Sequence, residues 1–469
     1  MFKSYRNPYY NRRKRPSISW WKLLLFVALS LVLLEALTRI TMGLLGYRSK
    51  LANYAGAPEE FTAYTLNFLN LKGKTFGGLP DRGQLLAVPD FATGYRLAGK
   101  QTSEFWQINE QGFRDDEPLP LEKPANEIRI FILGDSTAFG QGIVADPEKN
   151  LTANQKTIAY KLQTRLQTRL EQQNRSPEKY RPSILPVDST GRVNTLRLPP
   201  KIRGGNYRVI NAAVPGYTSG NQLAQLALEI LPYKPDVVIV LHGYSDLMLP
   251  QEQQAAEIPK QAEFLNNPPQ HFWTYLSQSG WQFLTGTSIY KSLQYFVLKP
   301  EPSLARETLA IAGESQSLEE HLPENETELE FRVDRYRQNL KQMIQIGAGS
   351  NIPLIIALQP EITGISPEKR QEKEDKTENQ IVQELGSVYQ QKIATGFTRL
   401  GAVNEQLGKA FPKNAKVLNY YQLFDNLSAV AFIDAVHLTD AGNQALSERF
   451  YNAVTALPDL QIIAQTPRR

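Results

Sequence analysis

The sequence predicts an α/β fold: a doubly wound, mostly parallel sheet flanked by helices, preceded by a transmembrane helix. Three observations carry this. Ile130–Leu133 and the run from Asp236 to Leu241 are near-continuous stretches of Val, Ile and Leu or Phe, as expected of strands buried on both faces. Helical patterns separate such runs, which implies crossover connections and a parallel sheet. Each run also stops at a turn residue (Gly134, Pro215-Gly216, Gly243), and open parallel sheets bind ligands at these carboxyl ends.

Taken in order, residues 128–133 form the first strand and roughly 150–173 a polar helix. Residues 175–205, rich in Pro, Arg and Gly, form an excursion. Tyr207–Asn211 is a second strand, broken by Pro215-Gly216. Asn221–Leu231 follows as helix, and the Asp236–Leu241 run as a third strand. Residues 251–328 are a second excursion, with Trp273, Tyr275, Trp281, Phe283, Tyr290, Tyr295 and Phe296. Phe331–Ile346 is helical, Ile352–Leu358 a strand, and Thr377–Leu407 one or two helices. Val417-Leu418 starts a last strand region, and a helix over Gly442–Leu457 closes the chain.

The net charge of +5 is unevenly placed. Seven basic residues and no acidic ones precede Leu23, so residues 23–469 sum to −2. No basic field for nucleic acid remains. The basic tail leads through Trp20-Trp21 into the apolar stretch Leu23–Leu34, and a helix beginning at Ile18 reaches the length of about 20 residues that a span requires. Glu35, Leu37 and Arg39 stand where a signal cleavage site would need small residues, which favours an uncleaved anchor with its N-terminus in the cytoplasm. The resulting division is a basic tail at 1–17, a signal-anchor at 18–45, a lead-in region at 46–125 and a catalytic-type domain at 126–462.

The chain has no cysteine, which excludes thiol chemistry and thiolate metal sites. Its four histidines show no His-x-x-x-His pairing, so neither a metal nor a cofactor is expected. Gly134–Gly142 lacks the Lys of a phosphate loop, and Leu247 stands where a nucleophile elbow starting at Gly243 needs Gly.

The chemistry gathers in two short segments. Gly134-Asp135-Ser136 ends the first strand and exposes a hydroxyl at a sheet edge. A serine needs a histidine base, itself oriented by a carboxylate. Phe432–Leu438 ends in Asp434-x-x-His437 and supplies both from one turn. Asp135 and Asp246 are as suited to capping backbone amides as to chemistry, and His242 to a structural hydrogen bond at a strand end.

This ordered set resembles the SGNH, or GDSL, hydrolase family over roughly residues 105–460, in the manner of its membrane-anchored bacterial members. Gly134-Asp135-Ser136 matches the first block, Gly216 the second, Gly243-Tyr244-Ser245-Asp246 the third with Ser245 in place of asparagine, and Asp434-x-x-His437 the last. Asn109–Arg114 resembles the segment ahead of the first block in anchored members. The resemblance implies an SGNH-hydrolase-like, flavodoxin-like sheet. It also implies Ser136 as nucleophile, His437 as base, Asp434 as its orienting carboxylate, and an oxyanion hole of Ser136, Gly216 and Ser245. The expected activity is a serine ester hydrolase outside the cytoplasm, with an acylated glycan or lipid ester as substrate. An acyltransferase and a weakened binding or scaffold protein are the alternatives. The aromatic stretch 271–296 is either a lid over the substrate or a packed helix pair.

Overall fold

The structure, a computed structural model, describes residues 20–48, 51, 63–70, 73, 85–258, 267–298 and 318–466. The basic tail at 1–17 and parts of the lead-in and of the second excursion lie outside the described residues. The chain divides into two compact units, one of residues 1–56 and 279–300, the other of residues 57–278 and 301–469.

In the smaller unit, Trp20–Leu44 forms one helix, α1. It is long and apolar enough to cross a membrane, and its apolar side chains are exposed, as a helix made for lipid requires.

The larger unit is built on a five-stranded parallel sheet. Its strands are β1 (Glu127–Gly134), β2 (Asn206–Asn211), β3 (Val237–His242), β4 (Leu354–Leu358) and β5 (Ala415–Asn419), in spatial order 2-1-3-4-5. This is the flavodoxin-like order, with its switch point between β1 and β3. β1, β3 and β4 are buried at every position, which is why they read as unbroken apolar runs. Among the helices that flank or extend the sheet are α2 (Ser136–Phe139), α3 (Ile158–Arg175), α4 (Glu326–Gly349), α5 (Thr377–Ala410) and α6 (Asp440–Thr455). α5 is kinked at Gly386, whose φ of 77° and ψ of 163° interrupt the helix.

Within the lead-in, 46–125, the residues from Ala63 onward pack into the main core. Tyr64, Tyr95, Trp106 and Phe113 belong to the same buried cluster as β1. Three short strands there, Leu66–Phe68, Leu85–Asp90 and Gly94–Leu97, form a small sheet of their own. The excursions, too, are partly regular. The first holds a helix at Ser189–Leu196, and the second holds helices at Pro268–Thr285 and Ser288–Leu293.

Candidate active site

β1 ends at a glycine for a steric reason. A Cβ at Gly134 would stand 2.4 Å from that of Ala138 and 2.5 Å from the Leu241 carbonyl oxygen. Only glycine lets the chain turn there directly into α2. Asp135 caps this turn, its carboxylate accepting from Thr137 N at 3.0 Å. Ser136 is the first residue of α2 and is buried, with 6% of its surface exposed.

The other end of α2 is held as firmly. Gly140, with φ 86°, donates back to the carbonyls of Ser136 and Thr137. The Asn211 amide donates to the carbonyls of Ala138 and Phe139 at 3.2 and 3.1 Å. Arg114 donates to those of Phe139 and Gly140 at 2.9 and 2.8 Å. The same buried guanidinium also reaches the Phe105 carbonyl, the Tyr64 hydroxyl and the Asn154 side chain. It lies over the Phe139 ring, 4.8 Å from the centroid. Among the described residues Arg114 is a hub without a carboxylate partner, and its five acceptors there are neutral.

The Asp434–His437 spacing follows from one local turn. Asp434 Oδ1 accepts from the backbone N–H groups of Val436 and His437 at 2.9 and 2.7 Å. That folds the chain back so that the imidazole meets the other carboxylate oxygen, with Nδ1 2.5 Å from Oδ2. With Nδ1–H donating, Nε2 is left as an acceptor. His437 is buried, and its Nε2 has no partner among the described residues. An acceptor nitrogen left without a protein partner can take the proton of an approaching hydroxyl. The loop is clamped at its base by Glu378, which accepts from Ala431 N at 2.7 Å and pairs with Lys373 at 2.6 Å. Ile362 N donates to the Ala435 carbonyl at 2.9 Å. Thr137 Oγ1 donates to the Val436 carbonyl at 3.4 Å, which joins the neighbours of Ser136 and His437. Ser136 and His437 make no hydrogen bond to each other here, a common condition before substrate arrives.

Gly216 lies in a tight turn with φ 83°, a conformation that favours glycine. Tyr95 braces it, donating to the Pro215 carbonyl at 2.9 Å, while Tyr217 donates to the Tyr95 carbonyl. Neither Ser136 N nor Gly216 N donates a hydrogen bond among the described residues, so both remain available to an incoming oxygen.

The Ser245 hydroxyl donates to Asp135 Oδ2 at 2.8 Å, so the one proton expected at the oxyanion hole is committed elsewhere. Asp135 is wholly enclosed, and burial raises its carboxyl above the ordinary value against the hydrogen bonds from Ser245 and Thr137. Asp246 is likewise a structural acceptor, taking Ser219 N at 3.1 Å and Ser219 Oγ at 2.5 Å, and burial lifts it to about 6. His242 Nε2 lies 3.3 Å from the Tyr336 hydroxyl, a structural contact, and burial depresses it to about 3. Among the described residues no cluster of metal-ligating side chains is present.

Sequence reasoning missed Arg114 and Tyr95 as supports of the site.

No protein-family model matches the chain, and no curated protein matches it. Among solved structures it is similar to a lipase/acylhydrolase from Enterococcus faecalis, at 14% identity and TM-score 0.33, over 70% of this chain and 95% of that one. An acetyl xylan esterase is similar at 13% identity and TM-score 0.31, over 70% of this chain and 100% of that one. A GDSL-like lipase from Bacteroides thetaiotaomicron is similar at 12% identity and TM-score 0.28, over 70% and 87%. Likeness at this level carries no functional weight, and the reading of the site rests on its own geometry.

Proposed function

We propose that this protein is a serine ester hydrolase of the SGNH type, anchored in a membrane by α1, with its site outside the cytoplasm. The observation that carries the reading is the buried Asp434–His437 pair, with an unpartnered Nε2, tied through Val436 and Thr137 to a serine at the end of β1.

In this mechanism Ser136 Oγ attacks the acyl carbonyl as His437 Nε2 takes its proton. Asp434 holds the imidazole in the required tautomer and stabilises the imidazolium that forms. The free N–H groups of Ser136 and Gly216 receive the developing oxyanion. His437 then protonates the leaving alcohol, and water releases the acyl group by the same route in reverse.

The substrate proposed is an acylated glycan or a lipid ester, since these are the esters an anchored extracytoplasmic enzyme meets. The commitment of Ser245 to Asp135 supports a slow hydrolase, because only two donors face the oxyanion. The test is a panel of acyl esters with the full chain in detergent, run beside a fluorophosphonate probe. Labelling and hydrolysis that vanish together in Ser136→Ala are expected. A probe that labels Ser136→Ala equally would overturn the assignment. Acyl groups recovered on an added alcohol in place of water would make the enzyme a transferase.

A further inference from the structure

The smaller unit contains a charged side chain where a membrane span tolerates it least. Glu35 is fifteen residues beyond Trp20, deep in the apolar helix α1. A carboxylate in hydrocarbon costs a few kcal/mol or more, and such groups persist where they face protein partners and have a role. Glu35 has such partners. Its Oε1 accepts from Ser288 N at 2.8 Å and its Oε2 from Ile289 N at 3.1 Å, while Arg39 Nε lies 2.7 Å away. The two amides open the helix Ser288–Leu293, which continues as a wider turn, Gln294–Leu298. The first amides of a helix have no partner within it, and a negative charge suits their dipole. Glu35 and this helix therefore satisfy each other.

A second contact fixes the direction. Tyr47 meets Phe296 edge-on at 5.2 Å between ring centroids, and Tyr295 at 6.1 Å. From Glu35 to Tyr47, and from Ser288 to Phe296, both segments advance the same way, so 288–298 runs alongside the carboxyl-terminal half of α1. At 1.5 Å per residue this stretch is roughly 16 Å long, about half a hydrocarbon core of about 30 Å. Its outward side is apolar. Leu293, Phe296, Val297 and Leu298 are exposed, as are Phe283 and Leu284 just before it. Lys291 is the one charged residue between 279 and 298, and a lysine can extend its ammonium along the helix toward water.

We propose that residues 279–298 are a second membrane element, a half-bilayer segment docked on α1 by Glu35 with its exposed side chains against lipid acyl chains. The inference rests on reading α1 as a span. It assigns the latter part of the aromatic stretch to the bilayer and removes it from any lid over the site.

The absence of native cysteine makes the test direct. Single cysteines are introduced by Phe283→Cys, Val297→Cys and Leu298→Cys, with Leu29→Cys as the span reference and Lys149→Cys as the aqueous one. Each full-length protein is spin-labelled in vesicles of phosphatidylcholine and phosphatidylglycerol, and its collision with oxygen is compared with that of a water-soluble nickel chelate. The oxygen-to-nickel ratio at 283, 297 and 298 is expected to match that at 29, about tenfold or more above that at 149, because the chelate is excluded from hydrocarbon. Ratios at 283, 297 and 298 equal to that at 149, with 29 still in lipid, would overturn the proposal and leave the span intact. An aqueous ratio at 29 would remove both. Adding Glu35→Ala is expected to move 297 toward the aqueous ratio without moving 29, and no change at 297 would overturn Glu35 as the dock. Fluorophosphonate labelling of Ser136, read on the same samples, keeps the hydrolase reading separate.

Discussion

The Ser245 hydroxyl donates to Asp135 across 2.8 Å, joining the short helix Tyr244–Met248 after β3 to the residue that caps the turn at Ser136. The contact stabilises a buried carboxylate and commits the one proton of the hydroxyl to it.

The first prediction follows from that geometry. Loss of a true oxyanion donor lowers turnover about a hundredfold to a thousandfold. Ser245→Ala should lower kcat on a simple acetyl ester by less than about tenfold, well short of that range. Ser245→Asn, which adds an amide donor, should raise kcat by about tenfold or more. A thousandfold loss in the alanine variant would restore Ser245 to the oxyanion hole.

His437 and Asp434 should separate in their effects. His437→Ala should abolish fluorophosphonate labelling of Ser136. Asp434→Ala should be milder, since the nucleophile, base and backbone donors remain. It should also loosen the loop, because two backbone amides lose their acceptor. Protease sensitivity near residue 434 measures that second effect. Equal labelling of wild type and His437→Ala would identify a different base.

Arg114 and Tyr95 should act as positioning residues. Arg114→Lys keeps the charge and loses the fork that serves five acceptors. The expected result is a fall in kcat of roughly tenfold with little change in KM, because the support of Ser136 is altered and the binding surface is not. Tyr95→Phe should cost about 1–3 kcal/mol in stability, the penalty for a buried carbonyl left unpaired at Pro215. Chemical denaturation and steady-state kinetics on the same preparations distinguish the two. A drop in KM-based affinity alone would contradict the assignment.

Glu361 sets a pH dependence of stability. It is buried next to Ile362, the residue that holds the Ala435 carbonyl, and it accepts from Thr363 N at 2.8 Å and the Tyr389 hydroxyl at 3.1 Å. Burial outweighs these bonds and raises its carboxyl to about 7. The folded value lies above the unfolded one, so the folded state holds the extra proton. The stability it contributes is present below about pH 4 and lost as pH rises through about 7, by up to roughly 3 kcal/mol. In Glu361→Gln that part of the decline should disappear from denaturation curves taken between pH 4 and 8. An unchanged slope would show that the carboxyl is an ordinary one.

The membrane reading predicts topology. A reporter fused after Arg469 should be active only outside the cytoplasm, because a basic segment ahead of a span favours a cytoplasmic N-terminus. Activity inside the cytoplasm would remove the extracytoplasmic assignment and the substrate class with it.

The strands were legible because burial on both faces leaves no room for polar residues in β1, β3 and β4. The Asp434–His437 pair was legible because a single turn dictates its spacing. The destination of the Ser245 proton was not, since a hydroxyl rotates to whichever acceptor lies near, and Asp135 is 110 residues away in sequence. Arg114 and Tyr95 were hidden for the same reason: their partners are distant in the chain. The aromatic stretch shows its apolarity in the sequence but not its neighbour, and the contacts of Glu35 with Ser288 and Ile289 and of Tyr47 with Tyr295 and Phe296 reveal what its latter part lies against.

The brace that Tyr95 and Arg114 provide also means that the sheet and the enzyme have different starting points. A fragment beginning at Glu127 would retain all five strands and every residue proposed to react. It would lack the hydroxyl under the Gly216 turn and the guanidinium under α2. Such a fragment is expected to lose the reactivity proposed for Ser136. The smallest piece that keeps this brace begins before Tyr95, more than thirty residues ahead of the first strand that defines the architecture.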